Sequence, residues 1–245
     1  GFPEMMDGRL KTLHPKVHGG MLAVRSNPEH MESMKKEGIK PIDMLVVNLY
    51  RFEDTVASGA PLEHAIENID IGGPAMVRAA SKNYPYVTVV TDPADYGRII
   101  EEMKSTGGSV SEKTNFELAR NAFSLTARYD AAISNYLQSI DIEESRFPLT
   151  YTVQYKRSQI MRYGENPHQK AAFYSELSVD QPSISTAQQL WGKELSYNNI
   201  MDADAALDLI MEFEKPACVI LKHSNPCGAA QSEDSLSEAY KKAFA

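Results

Sequence analysis

The spacing of apolar and polar positions changes several times along the chain, and each change predicts an element. Residues 42–50, IDMLVVNLY, form a continuous apolar run behind Pro41, the pattern of a strand buried on both faces. PLEHAIENI then predicts a short helix, GGPAMVRAASKN a second, and YVTVV (86–90) another buried strand. Asp92-Pro93 opens a predicted helix that runs to Thr106 and closes at Gly107-Gly108. Strands that alternate with helices in this way indicate an α/β sheet with helices packed on it.

Over 111–138, Leu118, Ala122, Leu125, Tyr129, Ala132 and Tyr136 recur at steps of four and three. They make one face of a long helix, suited to a core or a subunit interface. The period is then lost in SIDIEESRFPLT (139–150), which predicts a first domain over 1–140, a linker over 141–150 and a second domain over 151–245. The second domain begins with β-like segments, LTYTVQYKRSQIMRYG and KAAFYS. A helix is expected over 199–213, with Ala203, Leu207 and Ile210 on its apolar face and Asp202 and Asp204 in its first turn, where the helix dipole favours anions. ACVILKH reads as a strand ending in a sharp turn through Asn225-Pro226-Cys227-Gly228, and SLSEAYKKAFA as a last helix.

Composition narrows the possibilities. The formal net charge of -8 argues against nucleic acid or an anionic membrane as the main partner, while leaving room for a local basic pocket. No apolar run approaches the ~20 residues that a membrane helix needs. Two cysteines, Cys218 and Cys227, are no disulfide framework and suit a reducing cytosol. The chain opens on Gly1-Phe2-Pro3 without a signal-peptide pattern and closes inside a predicted helix, so both ends are expected to be cuts through a longer protein.

The common catalytic signatures are missing: no G-x-G-x-x-G, P-loop, H-E-x-x-H or G-x-S-x-G. No metal site is expected either. Cys218 and His223, five apart on a strand, point to opposite faces. Other stretches gather chemistry more densely. GRLKTLHP (8–15) brings Arg9, Lys11, Thr12 and His14 together, a cradle for phosphate or a carboxamide oxygen, or equally a solvated basic loop. In NIDIGGPAMVRAASKN (68–83), Asp70 precedes Gly72-Gly73, which let backbone approach a ligand, and Pro74 suits the first helical position. Arg78 and Lys82 share a helical face there, and simple helix electrostatics accounts for all but the paired glycines. RYGENPHQKAAFY (162–174) places Arg162, Tyr163, Asn166 and His168 around Gly164 and Pro167, as a recognition loop or a surface turn would. VILKHSNPCG (219–228) carries Lys222 and His223 out of an apolar strand.

Six stretches, GRLKTLHPKVHGG, NLYRFEDTV, IDIGGPAMVRAASKN, MRYGENPHQ, SYNNIMDADAAL and LKHSNPCG, occur in this order and together resemble the AICAR transformylase/IMP cyclohydrolase family of purine biosynthesis. The resemblance implies a methylglyoxal-synthase-like domain with a parallel sheet, followed by the start of a cytidine-deaminase-like α/β transformylase domain. It implies that the first domain closes FAICAR to IMP with loss of water and no cofactor. Lys11, Tyr50, Asp70 and Lys82 would be its catalytic residues, and Arg9, Thr12, Asn48 and Gly72 its substrate contacts. The second domain would move a formyl group from 10-formyltetrahydrofolate to AICAR. There His223 would be the base and Lys222 its neighbour, with Arg162, Tyr163 and Asn199 contacting substrate. A cytosolic homodimer is implied, with AICAR, FAICAR and folate as its small-molecule partners. The family's first domain also has an upstream strand and a phosphate loop that this chain lacks. Two other readings compete: a non-catalytic nucleotide-binding module of the same first fold, and a zinc deaminase-like hydrolase, whose H-x-E…P-C-x-x-C signature is absent.

Overall fold

The computed structural model describes residues 5, 6, 8–140 and 147–245. The opening Gly1-Phe2-Pro3 and most of the expected linker, 141–146, lie outside the described residues. The chain folds as two compact units, with the division between Val153 and Gln154.

The first unit begins with α1 (Pro15–Leu22) and α2 (Pro28–Glu37), each opened by a proline and capped by a side chain. His14 Nδ1 accepts the Lys16 amide at 3.1 Å, and Asn27 Oδ1 accepts that of Glu29 at 2.9 Å. Strand β1 (Met44–Val46) leads through α3 (Phe52–Ala57), α4 (Leu62–Glu67) and α5 (Gly72–Lys82) to β2 (Thr88–Val90), which pairs with β1 in parallel, Leu45 opposite Val89. Asp92 caps a short 3-10 turn ahead of α6 (Tyr96–Thr106), and Gly107 and Gly108 close α6 with positive φ. Ser111 then caps α7 (Glu112–Gln138).

The core joins Met21, Val77, Ala80, Val89, Ile99, Leu118 and Ala122. Fully burying an aliphatic side chain such as Leu118 contributes about 1.5–3 kcal/mol. The predicted stripe on α7 supplies Leu118, Ala122 and Tyr129 to buried clusters. Polar groups inside are paired: Thr88 Oγ1 donates to Asn115 Oδ1 at 2.8 Å, and Asn83 Nδ2 ties the end of α5 to the Met21 and Ala23 carbonyls.

The run 42–50 is not one long buried strand. β1 spans three residues and Val46 is 51% exposed. The ladder ends where the Val47 amide meets the Val90 carbonyl, because Asp92-Pro93 turns β2 away. Beyond it, Asn48 Nδ2 donates to the Thr91 carbonyl and the Tyr50 amide to the Asp70 carboxylate, so this backbone leaves the sheet. Pro74 also sits two residues later than expected, as the third residue of α5, still within the turn whose amides lack intrahelical partners.

In the second unit, β3 (Tyr155–Ile160) and β4 (Ala172–Glu176) pair antiparallel, with an irregularity between Arg157 and Gln159. Helix α8 (Tyr197–Met211) starts two residues before its expected start, because Ser196 and Asn199 form a reciprocal capping box. Asp202 and Asp204 therefore lie past the first turn. Strands β5 (Ala217–Lys222) and β6 (Asn225–Gln231) form an antiparallel hairpin followed by α9 (Leu236–Phe244). The segment read as a turn, Asn225 to Gly228, is thus the returning strand, and the turn is His223-Ser224, with Lys222 paired to Asn225. Gly228 is required by packing: a Cβ there would come within 3.0 Å of the Ala243 carbonyl carbon in α9.

Candidate active site

In the first unit, a cavity of about 460 Å³ opens between the loop before α1, the segment after β1 and the start of α5. Arg9, Lys11, Thr12, Tyr50, Asp70 and Gly72 all line it. Three separate stretches of sequence, within 8–13, 47–50 and 66–76, converge there.

Asp70 organises this site. Its Oδ1 accepts the Gly73 amide at 2.8 Å and its Oδ2 the Tyr50 amide at 3.3 Å, which joins the end of β1 to the start of α5. A carboxylate offers about four acceptor positions, so capacity remains for a ligand N–H. The Asp70 amide in turn donates to the Tyr129 hydroxyl at 2.8 Å, and that hydroxyl donates to the Asn68 carbonyl at 3.1 Å. Tyr129 is only 5% exposed, edge-on to Phe52, and burial raises its phenol above the ordinary value of 10.0. The sequence marked Tyr129 as a packing residue, and nothing local in it signals this second duty.

The paired glycines have a physical reason. A Cβ on Gly72 would overlap Thr12 Oγ1, and one on Gly73 would overlap the Asp70 carboxylate and come within 2.8 Å of Leu49 Cδ2. Any larger residue would push apart the groups that meet in the cavity.

Arg9 forms an ion pair with Glu67, which also lines the cavity, and both side chains are more than half exposed. Exposed pairs contribute about 0–1 kcal/mol, so an anionic ligand can displace Glu67 from Arg9 at small cost. Lys11 and Thr12 bring an ammonium and a hydroxyl, and Tyr50 brings a phenol. The set can hold an anion at Arg9, polarise a carbonyl oxygen from Lys11 or Tyr50, and accept an N–H at Asp70.

Neither Asn48 nor Lys82 lines the cavity. Asn48 instead donates to the Thr91 carbonyl at 2.9 Å. Lys82 ends α5, ten residues after Gly72 and about 15 Å along the helix at 1.5 Å per residue, where its charge complements the dipole.

In the second unit, Arg162 and Tyr163 enter the loop that joins β3 to β4. The Gly164 amide donates to the Gln169 carbonyl and the Asn166 amide to Gln169 Oε1, which makes Gln169 the internal brace of that loop. Asn199 faces a competing demand, since its Oδ1 accepts from the Ser196 amide and hydroxyl in the capping box. Lys222 and His223 are exposed at the tip of the β5–β6 hairpin. His223 and Ser224 have φ of 54° and 58°, the left-handed values that a type I′ turn requires at both central positions. A left-handed conformation costs an L-residue about 1–2 kcal/mol, although His tolerates it better than most. A second cavity of about 390 Å³ lies among β3, β4 and α8, and none of these predicted residues lines it. Among the described residues no three His, Cys, Asp or Glu group closely enough to hold a metal ion, and no helix is long and apolar enough to cross a membrane.

A model of the MGS-like domain matches residues 1–75, and a model described as AICARFT/IMPCHase bienzyme matches residues 80–245. The bifunctional purine biosynthesis protein PurH of Magnetococcus marinus is 59% identical over 247 residues, covering 99% of this chain and 46% of that protein. The chain thus spans about half the length of the curated relative it matches. The crystal structure of ForH aligns at 33% identity over 56% of this chain and 71% of its own, with a TM-score of 0.47. With more than half of its residues matched by that bienzyme model, the chain belongs to the AICARFT/IMPCHase bienzyme family.

Proposed function

We propose that the first unit carries the IMP cyclohydrolase site of a bifunctional purine-biosynthesis enzyme and that the second carries part of its AICAR transformylase site. The observation that supports this best is the convergence of Arg9, Lys11, Thr12, Tyr50, Asp70 and Gly72 on one cavity. Cyclohydrolase residues would span 1–140, a linker 141–150 and the start of the transformylase 151–245. The whole protein would work as a cytosolic homodimer with 10-formyltetrahydrofolate as formyl donor. The two free thiols, Cys218 and Cys227, suit a reducing compartment.

Ring closure of FAICAR requires a weakly nucleophilic carboxamide nitrogen to attack a formyl carbon, and water then leaves. Lys11 and Tyr50 donate to the formyl oxygen as it gains charge. Asp70, already fixed by two backbone amides, accepts an N–H of the carboxamide and draws electron density toward the nitrogen. Arg9 exchanges Glu67 for the substrate phosphate, and Thr12, packed against Gly72, donates beside it. In formyl transfer, His223 takes a proton from the attacking amine of AICAR as the new C–N bond forms, and Lys222 donates to the tetrahedral oxyanion. The oxyanion then collapses, the bond from the formyl carbon to the folate nitrogen breaks, and that nitrogen takes the proton from His223 as tetrahydrofolate leaves. Histidine is the side chain most often used as a general base.

Separate substitutions in the whole bienzyme test the assignment. Lys11→Ala is expected to lower FAICAR closure by about 10²–10³ while leaving formyl transfer intact, and His223→Ala to do the reverse. Loss of both activities from either substitution, or of neither, refutes the division of labour.

A further inference from the structure

The turn that carries His223 is held by a residue that none of the candidate chemistry uses. The peptide between His223 and Ser224 is gripped at both ends: its carbonyl accepts from Asn225 Nδ2 at 2.7 Å and its N–H donates to Asp202 Oδ1 at 2.8 Å. Asn225 is the next residue but one, whereas Asp202 reaches across from α8. Four residues before it, on the same face of α8, Asn198 Nδ2 approaches the Glu165 carbonyl at 3.5 Å, in the loop that follows Arg162 and Tyr163. One helix face therefore touches both loops that present candidate transformylase residues.

The grip matters because this turn is poorly encoded locally. Type I′ turns favour Asn and Gly, and here His and Ser occupy both left-handed positions. Rotating the central peptide by about half a turn converts type I′ into type II′, which relieves the left-handed φ at Ser224 while His223 keeps a positive φ at a position that favours glycine. That rotation swings the Ser224 N–H away and re-aims the backbone on which His223 stands. A carboxylate at 2.8 Å from this N–H opposes the rotation, and charged acceptors bind backbone N–H groups more strongly than neutral ones.

We infer that Asp202 is a positioning residue for formyl transfer: by accepting the Ser224 amide it holds the His223-Ser224 peptide in the orientation that presents Lys222 and His223. This rests on the proposed role of His223. Asp202 touches no reacting atom and works through the turn alone.

The test uses formyl transfer to AICAR by the whole bienzyme, together with amide exchange in this chain. Asp202→Ala is expected to lower kcat by about 10- to 10²-fold with little change in the KM for AICAR, as small misplacements of catalytic groups do. Asp202→Asn keeps a carbonyl acceptor and should retain most of kcat. Ser224→Gly, which removes the left-handed penalty at that position, should restore most of the loss when added to Asp202→Ala. Exchange of the Ser224 amide should speed up about tenfold or more in Asp202→Ala, as a lost charge-assisted bond implies, and much less in Asp202→Asn. Unchanged kcat and unchanged exchange in Asp202→Ala overturn the inference. So does equal damage from Asp202→Asn, which keeps an acceptor oxygen for the Ser224 amide, or failure of Ser224→Gly to rescue. His223→Ala separates the two claims: if it leaves formyl transfer intact, the role of His223 fails, while the exchange measurement still judges the grip on the turn.

Discussion

Replacing Tyr129 by Phe removes one oxygen and keeps the ring packed against Phe52. That oxygen accepts the Asp70 amide at 2.8 Å and donates to the Asn68 carbonyl at 3.1 Å. Each hydrogen bond contributes about 0.5–1.5 kcal/mol net, so Tyr129→Phe should destabilise the first unit by about 1–3 kcal/mol. Urea unfolding followed by near-ultraviolet circular dichroism measures this, and the dependence on urea should stay parallel because the surface exposed is the same. A pH series adds a second check. Burial raises the Tyr129 pKa above 10.0, so the folded state holds the phenolic proton more tightly than the unfolded chain does. The resulting stability is fully present below about pH 10 and is lost as pH rises through the folded value. The Phe variant has no such group, so the gap between the two proteins should narrow in that range. Equal stability near neutrality, or a gap that stays constant into strong alkali, would refute the double role of the hydroxyl.

Three further outcomes follow from the same contacts. Gly73→Ala forces a Cβ against the Asp70 carboxylate and Leu49 Cδ2, so it should cost about 1–3 kcal/mol in thermal unfolding and slow FAICAR closure as Asp70 shifts. The Ser111 amide and hydroxyl hold the Glu102 carboxyl below its ordinary value of 4.5, so its contribution is present above that pH and lost as pH falls through the lowered value. Glu102→Gln should therefore flatten the acid limb of the stability curve. Gly228→Ala drives a Cβ into the backbone of Ala243, and hydrogen exchange across Leu236–Phe244 should accelerate as α9 lifts from β6.

Much of the architecture was legible because its signals are local. Asp92-Pro93 and Gly107 open and close one helical stretch through bonds within a few residues, and the α7 stripe shows its period directly. Strand β6 was not legible, since Asn225, Pro226 and Gly228 are turn formers by composition and the positive φ values fell on His223 and Ser224 instead. The start of α8 was missed because Asn199, read as a ligand contact, also completes a cap. In the candidate active site, residue types were legible and their support was not. Tyr129 lies 59 residues from Asp70 and Asn83 lies 62 from Met21, and no local pattern reports such pairs. Lys82 shows the converse: twelve residues from Asp70 in sequence, it is carried away from the cavity by three turns of helix.

If FAICAR binds in the cavity that Asp70 organises, its titration into isotope-labelled chain should register in the backbone amides that surround that carboxylate. Saturable shifts are expected at Lys11, Thr12, Tyr50, Asp70, Gly72 and Gly73, with no added cofactor and with loss of those shifts in Gly73→Ala. Shifts confined to residues beyond Val153, or no saturable binding by the correctly folded chain, would contradict the assignment of this cavity to ring closure.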